Sequence, residues 1–125
     1  MKVVIVLLIF LFTVVDTSAQ TTDGLPKSER KALKQAKKLR KRLLKGADFN
    51  QLAKKYSDDP GSAAYGGELG SVDLGQFVPE FEKAIQSLEP GEISEPVRTD
   101  FGYHLIELIA KDETTFTSRH ILIKP

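Results

Sequence analysis

Y-S-D-D-P-G-S-A-A-Y-G-G-E-L-G-S-V-D-L-G-Q-F-V-P-E-F, residues 56–81, holds five of the chain's nine glycines and two of its six prolines. Three pieces separate within it. Asp58-Asp59-Pro60-Gly61 reads as a turn, because Pro fixes φ and Gly tolerates positive φ. Residues 66–72, G-G-E-L-G-S-V, read as a short strand bracketed by glycines, the pattern left where another group approaches the backbone closely. Residues 76–81, Q-F-V-P-E-F, open a helix, with Pro79 near its first turn and an acid there to suit the dipole. Phe77 and Phe81 are four apart and share a helical face. An apolar lip beside turn carboxylates points to a shallow binding surface rather than a closed core.

Working outward, both flanks are regular. Residues 28–45 carry an apolar stripe at helical spacing (Ala32/Leu33, Ala36, Leu39, Leu43/Leu44), with Ser28 as cap and Gly46 as stop. A second helix follows, capped by Asp48, with Phe49, Leu52, Ala53 and Tyr56 inward. On the far side, residues 79–87 form a helix and Glu89-Pro90-Gly91-Glu92 a turn. Residues 93–97 read as a short strand and Thr99-Asp100-Phe101-Gly102 as another turn. Residues 103–110 alternate, with His104, Ile106 and Leu108 on one face and Tyr103, Leu105, Glu107 and Ile109 on the other. Residues 111–117 form a polar connection, and residues 118–124 a last strand with His120 and Leu122 on one face.

The chain has 125 residues, a net charge of +1 and no cysteine. That length allows one domain with one modest core. The charge gives no overall argument for nucleic acid. Lack of cysteine excludes a disulfide framework, a thiol nucleophile and a thiolate metal site. Residues 1–19 read as a secretory leader: Lys2, an apolar run over residues 3–15, then Thr17-Ser18-Ala19 for cleavage. Thirteen residues fall short of the about 20 that a membrane span needs, so no stable insertion is expected after cleavage, and the destination is periplasmic or secreted. Residues 20–27 are a polar lead-in, and residues 28–125 the folded domain. Ten of the eighteen Lys and Arg fall within residues 27–45, against one acid, Glu29. That run is read as a solvated face whose long stems cover apolar surface, over an anionic-membrane or nucleic-acid patch.

Y-S-D-D-P-G-S-A-A-x-G-G-E-L-G, then G-Q-x-V-P-E-F-E, L-x-P-G-E-I-S-E-P-V and T-D-F-G-Y-H-L-I, together resemble the parvulin (rotamase) family of peptidyl-prolyl isomerases. The likeness runs from about Glu29 to Ala110. It implies an α+β fold, a four-stranded antiparallel sheet wrapped by about four helices. A further motif of that family, the strand R-H-I-L-I, normally opens the domain. Here it closes the chain, as residues 119–123. The resemblance puts that strand beside G-Y-H-L-I in mid-sheet, and a seven-residue connection is long enough for a hairpin. Residues 118–125 are therefore expected to fill the slot of the absent opening strand. Three histories stay open: a circular permutant, a truncated tandem of two isomerase domains, or a strand exchanged between copies. The unit is accordingly a monomer or a strand-swapped dimer.

The resemblance also assigns a site. Leu69, Phe77 and Phe81 match the residues that hold the proline ring, and Phe101 lies on the rim. Asp59 matches a position held by cysteine or aspartate, where the residues themselves read equally well as an Asx turn before Pro60. Thr99 matches a hydroxyl bonded to a histidine pair, and His104 and His120 match the pair. Val72 stands where the family often has an aromatic, which predicts a thinner wall. Neither histidine has ligand-spaced partners for a metal, no G-x-S-x-G elbow supports a serine triad, and no cofactor is called for. The implied partners are unfolded or proline-containing polypeptides, with neither nucleic acid nor phosphorylated substrate indicated. The implied function is prolyl isomerisation that assists folding of exported proteins. The alternatives are a non-catalytic module that holds unfolded chains and an incomplete fragment of a two-domain isomerase.

Overall fold

A computed structural model describes residues 22–125; the leader read in residues 1–19 lies outside them. Element order is α1 (Lys27–Leu44), α2 (Phe49–Tyr56), α3 (Pro60–Ala63), β1 (Glu68–Asp73), α4 (Pro79–Ser87), β2 (Val97–Thr99), β3 (Gly102–Lys111) and β4 (Thr115–Ile123). The four strands make one antiparallel sheet in the order β1-β4-β3-β2. The last strand in sequence therefore lies inside the sheet, between β1 and β3. Among the described residues, no helix is long and apolar enough to cross a membrane.

Side-chain alternation along β3 and β4 divides the interior into two cores. One face presents Tyr103, Leu105, Ile121 and Ile123 to the buried stripe of α1 (Ala32, Leu33, Ala36, Leu39, Leu43) and to Phe49, Leu52 and Ala53 of α2. The other presents Ile106, Leu108 and Phe116 to Phe81 and Ile85 of α4. On the first face Arg119 lies opposite Glu107, forms a forked ion pair with it at 2.9–3.2 Å, and covers the ring of Phe49.

Several local readings shift for identifiable reasons. Ser28 is not the cap of α1; the helix starts at Lys27 behind Pro26, with no side-chain cap. The turn expected at Asp58–Gly61 is tightened into the one-turn helix α3, with Asp59 as its cap. The strand expected over residues 93–97 lies later, at Val97–Thr99, and Ile93 makes only an isolated bridge to Glu107. Pro96 has no N–H for a ladder, so continuous pairing begins after it. The connection is shorter than the expected residues 111–117, because only Asp112, Glu113 and Thr114 leave the ladder. The Asp112 carboxylate closes that loop by accepting from the backbone N–H groups of Thr114 and Thr115.

Gly67 shows why the glycine bracket is needed. Its carbonyl accepts the His120 N–H at 2.9 Å. Its φ is +84°, and a Cβ there would sit 2.2 Å from the His120 carbonyl oxygen. The bare backbone lets β1 start directly beside His120.

Candidate active site

The second face of the sheet stays partly open where α4 begins. A groove of about 390 Å³ lies there, walled by Leu69, Phe77, Val78, Phe81, Phe101 and Leu122 with Gln76, and with Asp59, His104 and His120 at its polar end. Leu69 is the extra residue of a bulge in β1, where the register slips between Glu68 and Gly70; bulges re-aim side chains in this way. Phe77 is set by the Glu82 carboxylate, which accepts from the N–H groups of Gly75 and Phe77. Phe81 is 3% exposed and meets Phe77 at 4.9 Å between ring centroids. Its ring stands edge-on to both histidines, at 5.7 and 6.0 Å. Phe101 is 58% exposed on the turn between β2 and β3, at the groove's edge. Val72 packs into the α4-side core and does not line the groove.

Beneath the groove runs one chain of hydrogen bonds. Thr99 Oγ1 lies 2.6 Å from His104 Nε2, His104 Nδ1 lies 3.0 Å from His120 Nδ1, and His120 Nε2 lies 2.7 Å from Asp59 Oδ2. The two histidines are diagonal neighbours, since His104 pairs with Leu122 and His120 with Ile106. The direction of every bond follows from one end. Asp59 as a carboxylate only accepts, so His120 Nε2–H donates to it. A neutral His120 then accepts at Nδ1, so His104 Nδ1–H donates. His104 accepts at Nε2, and the Thr99 hydroxyl donates to it. Thr99 Oγ1 in turn accepts the Phe101 N–H at 3.1 Å, which ties the groove's edge to the same chain.

Electrostatics agree with this neutral arrangement. Burial, reinforced by the neighbouring His120, pushes His104 down to about 4. Burial also lowers His120, although Asp59 pulls it partly back. For Asp59, burial works against the charge, but the hydrogen bonds from Ser62 and His120 outweigh it and hold the carboxyl below its ordinary range. An unfolded histidine takes its proton near 6.5, the folded His104 only near 4. Below 6.5 the unfolded chain therefore binds more protons, so stability falls as pH drops from 6.5 to about 4 and then levels off for this group. The loss is on the order of 3 kcal/mol. Urea midpoints measured across that window should fall steadily in the native chain, and much less in His104→Asn.

Ser62 is the member of the site that the sequence reading passed over. It is 3% exposed; its hydroxyl donates to Asp59 Oδ2 at 2.6 Å and lies 3.1 Å from His120 Nε2. The available signal was spacing. Asp59 caps α3 and Ser62 stands three residues on, where a side chain reaches back toward its cap. Asp59 also accepts the Gly61 N–H with its other oxygen, at 3.2 Å. The Asx-turn geometry and the histidine contact thus coexist on one carboxylate. Ser62→Ala removes one of the bonds holding that carboxylate and should destabilise the fold by about 1–2 kcal/mol. The His120 ring signals should also shift to a different titration midpoint in a histidine NMR titration; an unchanged midpoint would mean that Ser62 only fills space.

A family model described as Rotamase, PPIC-type PPIASE domain, matches residues 18–110. This chain belongs to the parvulin-type rotamase family. The rotamase match stops short of β4, so His120 lies beyond it. Among individual rotamase relatives, the chaperone SurA of Nitrosococcus oceani is 48% identical over 90 residues, 72% of this chain and 21% of that protein. The foldase protein PrsA of Geobacillus kaustophilus is 51% identical over 80 residues, 64% of this chain and 28% of that protein. The crystal structure of peptidylprolyl isomerase PrsA from Bacillus cereus superposes with a TM-score of 0.62 at 50% identity, covering 66% of this chain and 32% of that one. The chain thus spans a fifth to a third of the length of these relatives.

Proposed function

We propose that this rotamase domain catalyses cis–trans rotation about X–Pro bonds in unfolded or extended polypeptides, and thereby assists the folding of exported proteins. One observation carries the reading: an apolar groove walled by Leu69, Phe77 and Phe81 ends on a buried histidine pair bonded to Asp59. The leader-like pattern of residues 1–19 supports export.

Rotation needs no covalent step. The X–Pro amide has partial double-bond character and a barrier of ~18–20 kcal/mol. At the twisted geometry resonance is lost, charge separation falls and the proline nitrogen becomes more basic. Water solvates the planar, more polar amide better than the twisted one. Leu69, Phe77 and Phe81 gripping the ring reverse that preference, because they replace water with apolar surface. Stabilising the twisted state by about 5 kcal/mol gives a several-thousandfold acceleration. Thr99, His104, His120 and Asp59 then serve as a rigid hydrogen-bonded floor.

The test is a proline-isomerisation assay on a short X–Pro peptide. The native chain should accelerate exchange, and Phe77→Ala should lower kcat/KM by about tenfold, given about 1.5 kcal/mol of ring contact. A chain that binds unfolded protein but gives no acceleration would instead support a holding module, the reading favoured by the identity to a chaperone.

A further inference from the structure

We propose that the outer face of α1 seats this domain on an anionic lipid surface, with the groove turned away from the lipid. Residues 27–45 carry ten Lys and Arg against the single acid Glu29, a local charge of +9 in a chain whose total is +1. The remainder of the molecule is therefore strongly acidic, and the charge is segregated rather than mixed. The fold places that segregation on one layer. The apolar stripe of α1 is buried against the sheet face of Tyr103, Leu105, Ile121 and Ile123, so its cations point outward. Nine of the ten are exposed, and only Arg40 is less so. Glu29, the one acid, is already taken by Arg98 of β2, and Arg40 by Glu95. Among the described residues, no other cation of α1 has an acidic partner within ion-pair distance.

The groove opens on the opposite face of the sheet, the side of His104, His120 and α4. A surface bound by α1 would leave it free for polypeptide. The chemistry of the face selects a lipid surface over other anions. It is a row about 27 Å long, dominated by lysine, a point charge on a flexible stem rather than a fork that reads fixed geometry. α1 has no aromatic residue on which a base would stack. Its outer face has no apolar centre of the kind that specific protein interfaces bury; Leu44, at its end, is the one large exposed apolar residue of the helix. Lys31, Lys34 and Lys38 also border a shallow hollow shared with Lys124, which extends the basic surface to the last residues of the chain. Each cation near an anionic bilayer contributes about 1 kcal/mol, so even a few give measurable partition.

The experiment is vesicle co-sedimentation of the full chain with phosphatidylcholine vesicles containing about a third phosphatidylglycerol. Binding is expected at about 0.05 M salt, and its loss at about 0.5 M. The triple variant Lys34→Glu/Lys38→Glu/Lys41→Glu, spaced along one helical face, should bind about tenfold more weakly or worse, with its thermal melt and isomerase rate unchanged. Lys83→Glu, an exposed lysine on α4 in the opposite layer, should change binding by less than about twofold. No partition at low salt, or equal partition into pure phosphatidylcholine, overturns the proposal. So does binding to polyglutamate without binding to the vesicles, which would assign the face to an acidic polypeptide. The readout is independent of turnover, so an inactive domain that binds vesicles still supports it.

Discussion

Deleting Thr115–Ile123 is expected to abolish cooperative unfolding, not merely to lower its midpoint. β4 is hydrogen-bonded on both sides, to β1 and to β3. Its side chains enter both cores: Ile121 and Ile123 pack with α1 and α2, and Phe116 with α4. Phe116, Ile121, Leu122 and Ile123 are all buried. Burying four such side chains stabilises by about 6–12 kcal/mol, the size of a whole domain's net stability of roughly 5–15 kcal/mol. Removal would also expose two unpaired strand edges in the middle of the sheet. Circular dichroism during a urea titration would settle the matter. A sigmoidal transition with the native m-value in the shortened chain would show that β4 is an accessory strand and that β1 and β3 find another way to pair.

The second large effect is expected from Phe81→Ala, which acts on stability and turnover together. The side chain is 3% exposed, anchors α4 to the sheet and forms the groove wall nearest the histidines. Truncating a buried Phe costs about 3–5 kcal/mol. The same change removes an edge-on contact to each imidazole and one side of the proposed proline pocket. Loss of 1.5–3 kcal/mol of ring contact corresponds to a roughly tenfold to hundredfold fall in kcat/KM. Phe81→Leu separates the two roles, because it keeps most of the apolar volume and loses the planar wall. Midpoint stability should largely return in Phe81→Leu while kcat/KM stays depressed. Full activity in a folded Phe81→Ala would remove this residue from the pocket.

Much of this was legible in the chain, for reasons that differ by residue. The alternation of β3 put His104 on the face of Ile106 and Leu108, and the spacing of β4 put His120 with Leu122; both assignments need only the two-residue period of a strand. That these histidines meet, and that Thr99 meets them, came from the family motifs, since no local pattern encodes a contact across a hairpin. Asp59 carried two readings because it does two things: one oxygen makes the local turn and the other reaches β4. Phe116 was hidden in a polar run, K-D-E-T-T-F-T, where a lone aromatic has too few neighbours to show a period. In the folded chain it is 1% exposed and backs Phe77 at 5.5 Å. The slip at Leu69 and a second one between Leu108 and Ala110 were equally silent, because both depend on the partner strand. The two slips flank Ser118 in the register, and its hydroxyl is buried without a hydrogen-bond partner among the described residues.

A strand that follows its two neighbours in the chain yet lies between them has a consequence for biosynthesis. The ribosome delivers β1, then β3, then β4, so among the described strands the one that joins the other two comes last. Until β4 emerges, one core lacks Ile121 and Ile123 and the other lacks Phe116. Closure of the sheet and of both cores therefore waits for β4, and cooperative folding of the nascent domain waits with it.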